Sequence, residues 1–166
     1  MRILVLAHYY WPHVGGVEKH AEEVNKRLRL KGINLTVLTE KYGQGLKDRD
    51  VKDGIEIIRF SYPHRRFFGL LAIWKFLWKN RILIKQSDII QIHDVFIWYL
   101  PFRFLYPLKK VYTTIHGYES DAPFTQISIW QKRLGVALST ASIGVGKYLE
   151  KYLKVKFSRI VYGGAG

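Results

Sequence analysis

The sequence has no cysteine, a single methionine, and 13 acidic residues against 27 basic ones. The absence of cysteine excludes disulfides, thiolate-bound metals and a cysteine nucleophile, and it fits a reducing compartment. No uncharged apolar run reaches the roughly 18 residues of a membrane-spanning helix. The apolar run after Met1 is too short for a signal peptide and lacks a small-residue cleavage pattern. The sequence therefore predicts a cytoplasmic chain without a transmembrane segment.

Apolar and basic residues are abundant instead. Of the 166 residues, 48% are hydrophobic and 15% aromatic, which is enough for a core and excludes intrinsic disorder. The length suits one domain. Most of the net charge of +14 lies in residues 61–166, which carry 16 basic and 5 acidic side chains. Such a balance favours anionic partners (nucleic acid, phospholipid headgroups or phosphorylated small molecules), and charge alone does not choose among them.

Short apolar segments alternate with amphipathic ones along the whole chain. Strands are predicted at 2–7, 33–39, 55–60, 88–93, 111–117, 141–146 and 158–164. Helices are predicted at 17–31, 66–85, 95–106 (broken at Pro101), 127–140 and 147–153, and residues 40–54 are predicted to be a loop. This alternation predicts a single α/β domain over 1–166, a Rossmann-like doubly wound parallel sheet with helices on both faces.

Two glycines follow the first predicted strand, where the next helix begins. Gly15 and Gly16 let the backbone approach an anion, and free N–H groups at a helix start favour phosphate. The alternative is a turn that glycine permits and no ligand occupies, and the spacing alone does not decide between them. A G-x-G-x-x-G fingerprint and a P-loop are both absent, which disfavours an enzyme that uses a dinucleotide.

Polar residues also follow the fourth and fifth of these strands. Asp94 follows the fourth, where capping of the next helix is the simpler interpretation. His116 follows the fifth, where it can donate a hydrogen bond to a sugar hydroxyl or a developing anion; a structural, partly buried histidine is the alternative. The six histidines are scattered, without an H-x-x-x-H pair backed by a carboxylate, so no metal site is predicted.

Residues 64–85 combine six basic side chains, many aromatics and no acid. Apolar residues cover more of the predicted helix than one core-facing side needs, which suits the interface of an anionic membrane. A core-packed helix with a solvated basic side is the alternative. Nucleic acid is the less favoured partner, because no binding signature accompanies the aromatics. The candidate membrane contacts are Arg65, Arg66, Trp74, Trp78 and Lys79.

Five segments, taken in order, resemble the N-terminal domain of GT-B glycosyltransferases of the family 4 type. Residues 3–39 resemble its opening strand, Pro-x-x-Gly-Gly loop, long helix and second strand. The strand end "DIIQIHD" resembles its Asp-(apolar)-x-His-(Asp/Ala) strand, and "YTTIHGYES" resembles its Thr-x-His-Gly strand end. Residues 139–153 and 159–166 resemble the segments that lead to its interdomain linker.

The resemblance implies transfer of a sugar from an activated donor, usually a nucleotide sugar, to an acceptor hydroxyl, with retention and without a cofactor or essential metal. It implies that Gly15 and Gly16 approach the donor diphosphate and that His116 contacts the donor sugar near the reacting centre. Glu18, Asp94 and Glu119 are the candidates on the acceptor side.

The family's Glu-x7-Glu motif is absent from this chain. The resemblance therefore implies that the chain is the acceptor-side half, that its nucleotide-binding C-terminal domain is missing and acts as a partner, and that the half alone does not turn over. Many such enzymes use lipid-linked acceptors, which predicts peripheral attachment to the inner face of a membrane. The alternative function is a non-catalytic basic α/β module that binds nucleic acid or anionic phospholipid.

Overall fold

The computed structural model describes residues 1–64, 66–117 and 125–162, with the backbone alone at 66 and 67. These residues form one eight-stranded sheet with the order β3-β4-β2-β1-β5-β6-β7-β8, parallel except at the edge pair β3–β4. The strands are β1 (Arg2–Ala7), β2 (Asn34–Glu40), β3 (Arg49–Lys52), β4 (Ile55–Phe60), β5 (Ile89–His93), β6 (Lys110–Ile115), β7 (Ala141–Val145) and β8 (Arg159–Val161).

Helices cover both faces of this sheet. They are α1 (Gly16–Leu30), α2 (Arg66–Lys79), α3 (Arg81–Gln86), α4 (Phe96–Leu105), α5 (Gln126–Leu138) and α6 (Tyr148–Leu153). Successive side chains of a strand point to opposite faces, so a strand that is apolar throughout needs a cover on each. In β1, Leu4 and Leu6 pack in the core under α2, α3 and α4, whereas Ile3 and Val5 pack in the core under α1. The predicted Rossmann-like fold is confirmed.

One predicted loop contains a strand. Within residues 40–54, β3 pairs antiparallel with β4, with Lys52 opposite Ile55. The two residues between them, Asp53 and Gly54, have φ of 52° and 72°. An Asp-Gly pair with positive φ at both positions closes a tight hairpin, and this short-range signal outweighs the polar composition that favoured a loop.

The predicted helix 66–85 is two helices, because α2 ends before Asn80 and α3 begins after it. The side chain of Asn80 donates to the carbonyl oxygen of Phe76, at 2.9 Å. A side-chain amide that bonds to the preceding turn competes with continuation of the helix.

Pro101 was expected to break a helix, and α4 continues through it. Proline has no N–H, so the carbonyl oxygen of Ile97, four residues earlier, loses its usual helical donor. The indole Nε1 of Trp74 donates to that oxygen at 3.1 Å. The missing bond is thus replaced from α2, and α4 needs no break.

Gly144 in β7 is a position where a larger residue is expected to destabilise the fold. A Cβ atom there would lie within 2.9 Å of three ring atoms of Phe157, which packs beside the core of Ile115, Leu149 and Leu153. We expect Gly144→Ala to lower the free energy of unfolding in urea by about 1–3 kcal/mol, because the ring must shift. Gly45→Ala is the control, since its Cβ would meet no atom within 4 Å. Equal stability of both variants would contradict the expectation.

Candidate functional site

The carboxyl ends of β1, β5 and β6 meet at one edge of the sheet. Because these strands are parallel neighbours, the residues that follow them lie side by side. His8 follows β1, Asp94 follows β5, and His116 follows β6 after Ile115. The loop from β1 to α1 carries Gly15 and Gly16 to the same edge.

Gly15 and Gly16 form an open helix start. Gly15 is the N-cap of α1 and has no side-chain cap, so the first N–H groups of α1 are without helical partners. A Cβ at Gly16 would meet no atom within 4 Å, whereas a Cβ at Gly15 would collide with the carboxylate of Glu18. Only a residue without a Cβ fits at Gly15 while Glu18 keeps this position.

Glu18 folds back over the start of its own helix. Its carboxylate is 12% exposed and lies 3.2 Å from Nδ1 of His13. The carboxylate takes up part of the positive end of α1 and is held in place by the loop. The structure therefore places Glu18 beside the glycine loop; its role on the acceptor side stays a prediction.

His116 lies within a cluster of three imidazole rings. Its Nε2 is 2.8 Å from Nδ1 of His93, and its ring centroid is 5.2 Å from that of His20 on α1. Burial, and then the neighbouring rings of His116 and His20, lower the pKa of His93 to about 3. Burial is also the main cause that lowers the pKa of His116 to about 4, although Asp94 opposes it. Both rings are neutral at pH 7.

Asp94 does not cap α4, so that interpretation is wrong. The N-cap of α4 is Val95, without a side-chain cap. Asp94 has φ of 59°, a left-handed conformation that is uncommon for aspartate, and its carboxylate turns towards β6 and α5. It accepts the backbone N–H of His116 at 3.2 Å and an ion-pair hydrogen bond from Lys132, with both side chains at most 5% exposed.

A cavity of about 180 Å³ opens beside Asp94 and Lys132. Its lining includes His8, Tyr62 and Trp98 as well as Asp94 and Lys132. A cavity of this volume holds a small polar group and is too small for a complete drug-sized ligand. Its walls are rich in hydrogen-bonding groups, which suits a hydroxylated ligand.

Sequence reasoning missed the side of that cavity formed by His8 and Tyr62, and also missed Glu40 and His64, which lie next to it. Nε2 of His8 lies 2.7 Å from the carboxylate of Glu40, which is 3% exposed, and 3.3 Å from the hydroxyl of Tyr62. Nε2 of His64 lies 3.1 Å from the same carboxylate. His8 directly follows β1 and Glu40 ends β2, so the rule that ligands gather at strand ends already pointed to both.

A comparison with protein families matches residues 14–162 to the model of Glycosyltransferase Family 4. The chain belongs to Glycosyltransferase Family 4. No curated protein matches it. The glycine loop, Asp94 and His116 all lie within the residues that match this family of glycosyltransferases.

Solved structures resemble this Family 4 chain over nearly all its length. A sucrose-phosphate synthase from Thermosynechococcus elongatus is 14% identical with a TM-score of 0.72, over 97% of this chain and 47% of that one. A glycosyltransferase from Rickettsia africae is 20% identical with a TM-score of 0.64, over 97% and 42%. An E. coli trehalose-6-phosphate structure with bound UDP-2-fluoro glucose is 13% identical with a TM-score of 0.54, over 93% and 42%. These likenesses show the GT-B-type fold, and the chain spans less than half the length of each neighbour.

The predicted membrane contacts of this Family 4 chain fall into three groups. Trp78 is 51% exposed, and Lys79 is exposed beside it. Trp74 is half-buried: it packs against the buried cluster and its indole bonds to Ile97, and its contact with a membrane stays a prediction. Arg65 and the side chain of Arg66 lie outside the described residues, as does Glu119.

A larger cavity, of about 640 Å³, lies at the opposite edge of the sheet. It is lined by residues that precede strands, among them Met1, Asp88 and Lys109. The ammonium of Lys109 already donates to the carbonyl oxygens of Lys85 and Ser87. By volume alone this cavity would be the better candidate for a ligand site. The histidines and the open helix start, however, are at the other edge, where parallel sheets bind ligands.

Two further findings concern the described residues only. No group of three or more histidine, aspartate or glutamate side chains there is arranged to hold a metal ion. Over the same ranges, no helix is long and apolar enough to cross a bilayer.

Proposed function

We propose that this chain is the N-terminal, acceptor-side domain of a retaining glycosyltransferase that moves a sugar from a nucleotide donor to an acceptor hydroxyl. The observation that carries the proposal is the meeting, at one sheet edge, of the open start of α1 with the neutral ring of His116. The first can hold a diphosphate and the second can donate a hydrogen bond to the sugar attached to it.

The glycine loop binds the diphosphate of the sugar donor. The free N–H groups at Gly15 and Gly16 and the positive end of the α1 dipole attract a diphosphate. The carboxylate of Glu18 lies against the same loop, so the diphosphate must share the helix start with a negative charge. We propose that this limits the affinity for phosphate alone and favours the complete donor, which gains further contacts elsewhere.

His116 supplies a hydrogen bond without carrying charge. A neutral imidazole donates from one nitrogen and stays uncharged in a site where a cation would be costly to desolvate. The side chain of Asp94 accepts the backbone N–H of His116 and so holds the end of β6 in place. His116 is the residue that we propose touches the donor sugar.

The acceptor hydroxyl enters the cavity between His8, Tyr62 and Asp94. Asp94 lines this cavity, and the ammonium of Lys132 compensates its charge. The nucleotide base would be held by a C-terminal domain, which agrees with a chain that spans 47% of its sucrose-phosphate synthase neighbour. The E. coli neighbour with bound UDP-2-fluoro glucose supports a nucleotide sugar as donor. No metal or cofactor takes part in the proposed reaction.

The test uses the natural protein that contains this chain. Release of nucleoside diphosphate from UDP-, GDP- and ADP-sugars is measured in EDTA, with water as the acceptor, and the anomer of the released sugar is read by NMR. We expect release with retention, and a fall of about 10²–10³-fold in His116→Ala, the size of loss seen for a single donor to a transition state. Val51→Thr, on the exposed edge strand β3, is the control. Inversion, release only with added metal, or full activity of His116→Ala would overturn the proposal.

We propose in addition that the domain sits on the inner face of a membrane and uses a lipid-linked acceptor. The α2–α3 face consists of exposed residues at helical spacing on α2, followed by one at the start of α3, namely Phe68, Leu71, Lys75, Trp78, Lys79 and Ile82. Residues 61–87 contain no acid. Apolar rings and lysines on one helix face are what an anionic bilayer surface binds.

Co-sedimentation tests this surface. We expect the chain to bind vesicles with 30 mol% phosphatidylglycerol at 50 mM salt and to bind less at 500 mM, because the attraction is partly ionic. Trp78→Gln should weaken binding several-fold. Trp130→Gln is the matched control, since that indole is 56% exposed on α5. No binding, or equal loss in both variants, would exclude the α2–α3 face as the contact.

A further inference from the structure

The ring of His93 is buried and makes one hydrogen bond within the described residues. It is 3% exposed, at the last position of β5. Its Nδ1 lies 2.8 Å from Nε2 of His116. Its Nε2 is fully buried and has no hydrogen-bond partner within the described parts of the chain. A buried polar atom without a partner constrains where the protons of the two rings sit.

Two neutral rings allow two arrangements of the shared hydrogen bond. In the first, Nε2–H of His116 donates to Nδ1 of His93, and the proton of His93 is then on its Nε2. That leaves a buried N–H without an acceptor, which costs about 1–3 kcal/mol. In the second, Nδ1–H of His93 donates to Nε2 of His116, and the unpartnered Nε2 of His93 holds only a lone pair. Orphaned buried N–H groups are the rarer case in folded proteins, so the second arrangement is favoured.

We propose that His93 is a positioning residue that sets the tautomer of His116: its Nδ1–H donates to Nε2 of His116, so His116 keeps its own proton on Nδ1. The only ring N–H that His116 can offer a ligand is then Nδ1–H. This inference rests on the proposed function, in which His116 touches the donor sugar. His93 itself does not contact the sugar and transfers no proton.

The surroundings of the pair keep both rings neutral. The ring of His20 on α1 faces His116, and Lys132 on α5 stands beyond Asp94. A proton added to either ring would be buried among these groups, and burial, with repulsion from His20 and Lys132, lowers the pKa of His116. A protonated His116 would also carry a hydrogen on Nε2, facing the Nδ1–H of His93, so protonation breaks the bond that fixes the tautomer.

Nitrogen NMR of the imidazole rings tests the tautomers directly. In the ¹⁵N-labelled 166-residue chain at pH 7, long-range proton–nitrogen spectra distinguish a protonated from an unprotonated ring nitrogen. We expect Nδ1 protonated and Nε2 unprotonated in both His93 and His116, with assignments taken from His93→Asn and His116→Gln spectra. Protonation of Nε2 in either ring would overturn the inference.

Two substitutions of His93 distinguish a role in positioning His116 from a role in filling space in the core. The amide nitrogen of asparagine lies close to where Nδ1 lies in histidine, so His93→Asn keeps a donor to His116, whereas His93→Leu removes it. In the natural protein we expect kcat for donor hydrolysis to fall about tenfold or more in His93→Leu with KM little changed, and to be largely restored in His93→Asn. Equal losses in both variants would overturn the positioning role, and the wild-type NMR result stands even where His93→Leu does not fold.

The two proposals fail in different ways. Full activity of His116→Ala would disprove the proposed function. The spectra of the wild-type chain could still show the Nδ1 tautomer of His116. A protonated Nε2 in His93 would disprove the assigned tautomer. A loss of activity in His116→Ala would still support the proposed function in that case.

Discussion

Replacing Lys132 by methionine is expected to lower the free energy of unfolding by about 3–5 kcal/mol, the usual cost of removing one partner of a buried ion pair. The carboxylate of Asp94 is 2% exposed and would lose the only cation that bonds to it within the described residues. Among the described residues, only the backbone N–H of His116 would then compensate this buried charge. Urea unfolding at pH 7 measures the change.

Removing both charges together should cost less than removing one. We expect Lys132→Met/Asp94→Asn to be more stable than Lys132→Met, because the double variant leaves no buried charge, although the asparagine is less able to hold His116. Lys75→Met is the control, because that lysine is exposed on α2. A loss of less than about 1 kcal/mol in Lys132→Met, or a double variant less stable than it, would contradict a buried and coupled pair.

The second large effect is a loss of stability as the pH falls from 7 to 5. The pKa values of His93 and His116 in the fold are lowered to about 3 and about 4. In the unfolded chain both rings take up protons through their ordinary pKa near 6.5, while the folded chain does not, so protons favour unfolding. The charged and titratable groups that face the pair are His20 on α1, Asp94 after β5 and Lys132 on α5.

The expected size is about 2 kcal/mol per ring between pH 7 and pH 5, with the stabilisation complete above the unfolded pKa. Urea unfolding at several pH values measures it. His93→Asn, which cannot titrate, should lose about half of the pH dependence that the pair contributes. Val51→Thr, on the exposed edge strand β3, should keep it all, because it changes no titratable group. Identical pH profiles for wild type and His93→Asn would show that the ring of His93 is not buried neutral.

Sequence reasoning predicted the fold wherever a signal was local. The central strand β1 is a continuous apolar run after Arg2, and its predicted bounds, 2–7, are those of the structure. The failures came where local signals conflict or where a distant residue decides. Polar composition hid the Asp53–Gly54 hairpin, and the continuity of α4 at Pro101 depends on Trp74, which is distant in sequence.

The sequence predicts where the site residues lie in the sheet, but it does not predict which side chains contact one another. Strand ends identify Gly15, Gly16, Asp94 and His116 as neighbours, because parallel strands place their carboxyl ends at one edge. The ion pair of Asp94 with Lys132 spans 38 residues, and nothing near Lys132 marks it as buried. The contacts of His8 with Glu40 and Tyr62 span 32 and 54 residues, so they were missed for the same reason, although His8 and Glu40 lie at strand ends.

The bond from Trp74 to the carbonyl oxygen of Ile97 has a consequence for how this chain can change by mutation. While position 101 is proline, loss of the indole leaves the half-buried carbonyl of Ile97 without its donor, so Trp74→Phe is costly. In Pro101→Ala the N–H of residue 101 can bond to the carbonyl oxygen of Ile97 within the helix. The hydrogen bond from residue 74 is then no longer needed. The two substitutions are therefore tolerated in one order only, and homologues that lack the proline are expected to be the ones in which the tryptophan varies.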